Sequence, residues 1–252
     1  MYKYMKKKNI ICAVVSNAAI ICLIAVLFFV CNPLPSATAA SSPIYNGDRK
    51  GGCVALMFNV YEGSENVEKI LDILEKNRIT CTFFVGGIWV ERNAPLLNKM
   101  SEIAEIGNHG YLHLDHASLS YQRNREEILL CHNLVEKVCG IEMNLFAPPS
   151  GSFGDVCLNV CSENDYRVIM WSKDTIDWRD KDSQIIYKRA TSDIKSGDLI
   201  LMHPTDQTVV ALPMIIEAIK ASNLEMTTVS EVLDGANSAS SRPGGIIRRL
   251  MV

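Results

Sequence analysis

Residues 54–85 read VALMFNVYEGSENVEKILDILEKNRITCTFFV. The apolar run Val54 to Val60 suits a buried strand. Glu65 to Asn77 places apolar residues at i, i+3, i+4 and i+7, the period of one helix face, and Thr80 to Val85 returns to a short apolar run. Strand, helix and strand in about thirty residues form one βαβ unit, whose two strands must lie parallel.

The alternation continues downstream. Helical spacing recurs over Ala94–Glu105, Tyr121–Cys139, Asp155–Asn164, Ser183–Lys195 and Val209–Ala221, and strand-like runs end near Asn108, Ala147, Trp171, Met202 and Val229. This predicts one α/β domain with parallel strands over residues 53–234. A (β/α) barrel and an open doubly wound sheet both satisfy the pattern. Each builds its site just beyond the carboxyl ends of its strands, and His109, Asp174 and His203 all fall at such ends.

The rest of the chain bounds the setting. With 252 residues, 48% hydrophobic and 21% charged, there is room for one domain of medium size. The formal net charge is −3, but Lys3, Lys6, Lys7 and Lys8 open the chain; without those four of the 25 basic residues, 21 remain against 28 acidic, a body at −7. That balance argues against nucleic acid as a main partner. The four lysines precede an uncharged apolar run from Ile10 to Cys31. As a helix it would be about 33 Å long, enough to cross a hydrocarbon core of roughly 30 Å. Basic residues before it and none just after predict a single-pass anchor with residues 1–9 in the cytoplasm and the domain outside. SATAAS around Ala39 offers the alternative of cleavage, which would release the domain. Residues 32–52, rich in Pro, Ser, Ala and Gly, read as a tether, and residues 235–252 as a tail. The six cysteines beyond the apolar run show no disulfide framework and read as small buried residues.

Chemistry concentrates in three places. HGYLHLDH, His109 to His116, holds three of the five histidines. His109 and His113, four apart, can share one divalent ion through neutral imidazole nitrogens, whereas His116 is expected on the exposed side of the loop. WSKDTIDW, Trp171 to Trp178, supplies Asp174 and Asp177, and LILMHP, Leu199 to Pro204, supplies His203. A buried carboxylate beside an imidazole fixes its tautomer and raises its basicity, so these are the parts of an acid/base pair. Helix caps, turns and core histidines account for each such residue taken alone.

The blocks VALMFNVYEG, GNHGYLH, FAPPSGSF, MWSKDTIDW and DLILMH, in this order, resemble the polysaccharide deacetylases, also called carbohydrate esterase family four or the NodB-homology domain. The likeness spans about Val54 to Leu233. It implies a distorted (β/α) barrel, typically of seven strands, a divalent metal such as zinc, and hydrolysis of N-acetyl groups from amino-sugar polymers such as peptidoglycan or chitin-like glycans. It implies His109 and His113 as metal ligands, Asp174 as the group that orients His203, His203 as general acid, and Leu201 as lining for the acetyl methyl group. The pairing of MFNVYEG with FAPPSGSF resembles a membrane-anchored branch associated with spore-forming bacteria.

The departures from the family pattern lie in the first and third blocks. Where the family has two consecutive aspartates, the general base and the third ligand, this chain has Asn59 and Val60; where it has an arginine that pairs with the catalytic aspartate, this chain has Ala147. An arginine facing a neutral asparagine would be a poorly compensated buried charge, so the changes form one rearrangement. Glu62, two residues beyond Val60, could supply a replacement carboxylate to the metal or to the attacking water, and Asp115, Asp174 and Asp177 are the other carboxylates that could approach the ion. Tyr111, Trp178, Trp171 and Phe153 offer rings that could stack on sugars, Tyr111 first because it lies in the histidine loop. Two readings follow: a metal-dependent N-deacetylase, and a silent glycan-binding protein that keeps the fold.

Overall fold

The computed structural model describes residues 42–235, together with Asn17, Ile20 and Ile21. Apart from those three residues the expected anchor at 10–31 lies outside the described residues, as do the cleavage site near Ala39 and the tail beyond Gly235; among the described residues no helix is long and apolar enough to cross a membrane.

Strand β1, Cys53–Val60, is buried at every position. Val54, Leu56, Phe58 and Val60 pack against the helices, and Cys53, Ala55 and Met57 pack in a second, inner cluster. Sheets with both faces covered are the natural setting for parallel pairing, because each crossover lays a helix on the sheet. Around β1 are β2 (Thr82–Val85), β3 (Glu105–Asn108), β4 (Leu145–Phe146), β5 (Arg167–Val168), β6 (Lys173–Asp174), β7 (Leu199–Met202) and β8 (Glu225–Thr227). Their order is β5-β4-β3-β2-β1-β7-β6, and all pairs are parallel. Ala55 pairs with Leu199 of β7 and Thr227 of β8, so β8 shares the flank of β1 that β2 uses further along.

The two outermost strands, β5 and β6, belong to one extended segment. Its start pairs with β4 and its end with β7, so the sheet returns on itself as a distorted barrel. Counting that segment once gives seven, and a doubly wound open sheet is excluded. The split is filled from the N-terminal side. Ile44 donates its N–H to Val168 and accepts from Met170, both at 2.8 Å, and Gly47 donates to Gly197 at 2.8 Å. The domain therefore begins before the boundary read at residue 53, because Ile44 to Gly47 complete the wall. Gly197 has φ +81, and a Cβ there would meet the Gly47 carbonyl oxygen at 2.7 Å, so this seam requires a residue without a side chain.

Eight helices are described: α1 (Glu65–Asn77), α2 (Gly87–Arg92), α3 (Ala94–Ile103), α4 (Tyr121–Cys139), α5 (Asp155–Glu163), α6 (Ser183–Thr191), α7 (Asp206–Ala221) and α8 (Val229–Asp234). In α1 the apolar spacing materialises as buried Val67, Ile70, Leu71 and Leu74. Helix α6 stops at Thr191, before the expected end at Lys195, because Ser192 turns to ψ 123 and Asp193 takes φ 54; Lys195 N–H then goes to the Asp198 carboxylate at 2.8 Å. Ser120, Asp182, Thr205 and Thr228 cap α4, α6, α7 and α8 with side-chain oxygens.

Asp198 holds the seam. Its buried carboxylate pairs with Arg49 at 2.7 Å and accepts from Ser172 Oγ at 2.9 Å, besides Lys195. Unsatisfied buried donors cost about 1–3 kcal/mol each, so Asp198→Ala is expected to destabilise the domain by about 3 kcal/mol. In thermal unfolding that corresponds to a fall in Tm of roughly 6–12 °C. A change below about 2 °C would show that the seam closes without this carboxylate.

Candidate functional site

The carboxyl ends of the strands surround a cavity of about 390 Å³. Asn59 and Tyr61 reach it from the end of β1, His109 and His113 from the loop after β3, and Ser150 from the turn after β4. Trp171, Asp174 and Trp178 come from the β5–β6 segment and the loop beyond, Leu201 from β7 and His203 from just after it. A smaller recess of about 180 Å³ adjoins it and is lined by Asn59, Tyr61, Glu62, Trp178, His203, Pro204 and Thr205.

The histidine loop is held from beneath by α4. The fully buried Glu127 carboxylate accepts from the Tyr111 and Leu112 N–H groups at 2.9 and 2.7 Å and pairs with Arg123 at 2.8 Å. His109 is fully buried, and its Nδ1–H donates to the Ala147 carbonyl at 2.7 Å. That bond fixes the tautomer and leaves Nε2 as a bare acceptor, buried and without a partner. Burial holds the His109 pKa well below the usual imidazole range, with the neighbouring His113 acting in the same direction. His113, half-buried at φ 57, is also lowered by desolvation. The two rings stand 5.1 Å apart, so the expected histidine pair is assembled and neutral.

The expected metal centre is not. The Tyr61 ring stacks on His113 at 3.9 Å and lies 6.0 Å from His109 and 6.4 Å from His203. Burial, then the Glu62 and Asp177 carboxylates, raise its phenol pKa and keep it neutral. Val60 points the other way, into the packing under the helices, and Asn59 Oδ1 is buried without a partner. Glu62 is exposed beside the smaller recess and does not join the histidines in a ligand set. Among the described residues no group of three or more His, Cys, Asp or Glu could hold a metal ion. Structural and catalytic zinc sites take at least three protein ligands, so the residues present do not fit the family's divalent metal.

The acid/base pair is present with a different carboxylate. Asp177, 2% exposed, accepts from His203 Nδ1 at 2.8 Å, from the His203 N–H at 2.6 Å and from Thr208 Oγ1 at 2.5 Å. Asp174, expected in that role, instead accepts from the Ile176 N–H at 2.8 Å and lines the cavity. The reason is local: Ile176 takes a left-handed conformation, φ 53, and the turn it makes sends Asp177 inward beneath His203.

Leu201 and Trp178 are where expected, the first buried in the cavity wall and the second 59% exposed at its rim. Tyr111 is not at the cavity. Its ring lies against Gly87 at the start of α2 and its hydroxyl donates to Glu91, because the hold of Glu127 on its N–H turns the side chain outward. His116 is buried, contrary to expectation, with Nδ1 2.7 Å from Asn124 Oδ1 and its ring edge-on to Phe146. Asp115 is bound to Ser152, and Phe153 packs on the core. Cys157 and Cys161 are buried as expected. Sequence reasoning passed over Tyr61 and Ser150. Tyr61 was legible: β1 alternates, so Tyr61 continues the face of Met57 and Asn59. Ser150 lies in a left-handed turn, φ 55, that no local residue preference signals.

The chain matches the polysaccharide deacetylase family over residues 46–169. It is 32% identical over 187 residues to a peptidoglycan-N-acetylglucosamine deacetylase of Bacillus cereus, covering 71% of this chain and 87% of that one. It is 38% identical over 193 residues to the uncharacterized protein YlxY of Bacillus subtilis, covering 76% of this chain and 60% of that protein's length. Among solved structures, a CE4 family pseudoenzyme from Bacillus anthracis superposes with a TM-score of 0.75 at 33% identity, over 77% of this chain and 70% of that one. A mutant of that pseudoenzyme with restored enzymatic activity superposes equally, at 32% identity and TM-score 0.75, over 77% of this chain and 72% of that one. The chain therefore belongs to the polysaccharide deacetylase family.

Neutral buried histidines link stability to pH. The folded pKa values of His109 and His113 lie below their unfolded values, so on acidification below about pH 6.5 the unfolded chain binds protons first. Stability from this source is complete above that pH and is lost as pH falls. Tm is expected to drop between about pH 7 and pH 5, and to drop less in the His109→Gln/His113→Gln variant. Equal slopes would assign the acid lability to other groups.

Proposed function

We propose that this protein recognises an amino-sugar polymer of the cell wall through the cleft of a deacetylase domain that no longer hydrolyses. The fold, the family and the relatives that act on peptidoglycan support the glycan; the end of β1 supports the silence. Asn59 is an amide and cannot take a proton from water near neutral pH. Val60 is buried among core side chains, and the Tyr61 ring covers His113. That one stretch removes the base, the third ligand and the room beside the histidines. In this reading residues 10–31 hold the domain at the outer face of the membrane, or cleavage near Ala39 frees it.

One observation favours the second reading, a hydrolase that removes N-acetyl groups with a rebuilt centre. The Asp177–His203 pair is intact and faces the cavity, and such a pair serves general acid catalysis in acyl transfer. Acetate release from peptidoglycan and from N-acetylglucosamine oligomers separates the two. The expected result is no release above that of the His203→Ala variant, with retained sedimentation on purified peptidoglycan and no tight one-to-one zinc binding by the metal-stripped protein. Acetate release abolished by His203→Ala would establish the hydrolase.

A further inference from the structure

We infer that the cleft selects sugar units whose nitrogen is a free, protonated amine over N-acetylated ones. This rests on the glycan-binding reading and names the chemical class of its ligand. The first ground is charge. The two adjoining recesses are lined by two carboxylates, Asp174 and Glu62, and by no lysine or arginine. Arg179, beside Trp178, is bound to Asp180 at 2.9 Å. A concave site lined by a single sign of charge attracts ligands of the opposite sign.

The second ground is hydrogen-bond polarity. Buried polar atoms in folded proteins are nearly always paired, and those that are not call for an explanation. Here two buried acceptors at the cavity have no donor, Asn59 Oδ1 and His109 Nε2. The bond from Nδ1–H to Ala147 leaves His109 Nε2 nothing but a lone pair to offer. His203 is held the same way, with Nδ1 on Asp177 and the opposite nitrogen available. An ammonium group has three donors and no acceptor, which complements this set. The rings of Tyr61 and Trp171 add π faces that attract a cation, while Arg179 already stands 5.8 Å from the Trp178 ring. An acetamide offers these acceptors a single N–H, and its carbonyl oxygen finds no lysine or arginine in the lining to receive it. The volume of about 390 Å³ is in the range of sites for small ligands.

The test titrates short glucosamine oligomers and N-acetylglucosamine oligomers of equal length into the full-length protein in detergent, with EDTA present to exclude metal bridging. Glucosamine oligomers are expected to bind at least about tenfold more tightly, with affinity falling as salt rises and falling about tenfold in Asp174→Asn. Asp174 sits at the surface of the cleft, and Glu62→Gln and the salt series on the unaltered protein give readouts that need no change in the wall. Tighter or equal binding of the N-acetylated oligomer overturns the inference and leaves the glycan-binding reading standing. A preference that persists in the Asp174→Asn/Glu62→Gln protein puts the amine elsewhere and also overturns it. Binding of neither oligomer sinks both.

Discussion

A parallel strand packed on both faces must send alternate side chains to opposite sides, and β1 carries that constraint for the whole molecule. It pairs with β2, β7 and β8, so its register fixes theirs. Its outward residues anchor the helices, and its inward residues run from Cys53 through Ala55 and Met57 to Asn59, where the inner packing opens into the cavity. A one-residue slip would exchange the two sets, burying Asn59 among the helices. The chemistry at the end of β1 is therefore set by the same alternation that builds the core.

The same alternation decides what stands beside the histidines. With no carboxylate at Asn59 or Val60, the two histidines are neutral and sit beside a neutral ring. With Asn59 neutral, a cationic side chain at position 147 would lack a carboxylate at position 59 to pair with, and Ala147 packs in the inner cluster instead. Its carbonyl still receives His109, because a backbone contact is indifferent to the side chain. The backbone that holds His109 is thus formed without a carboxylate at Asn59 or Val60. What remains is a cleft of acceptors and rings, with the intact Asp177–His203 pair at its edge.

Much of this was legible in the chain. Apolar periodicity located most strands and helices to within a few residues, because burial on a sheet and on a helix face imposes different periods, but it did not signal α2, α8 or β6, which at six, six and two residues are too short to show a period. Spacing placed His109 and His113 together, and the likeness to the family placed Asn59, Leu201 and His203 at one site. The misreadings share a cause. Asp174 and Asp177 are both aspartates after a strand, and only the left-handed turn at Ile176 decides which one meets His203. Tyr111 and His116 were assigned by their position in the loop, but Glu127 and Asn124, both from α4, determine which way the loop faces.

By itself the sequence determined the α/β class, the parallel alternation and the absence of a carboxylate at Asn59 and Val60, since these depend on residue type and short-range period. Only the tertiary structure decided that the tether's Ile44 to Gly47 complete the barrel wall, that Asp177 orients His203, and that Tyr61 occupies the space beside His113. Those outcomes depend on groups far apart in the chain approaching within hydrogen-bond or ring-contact distance, and no local pattern encodes the direction from which a distant partner arrives.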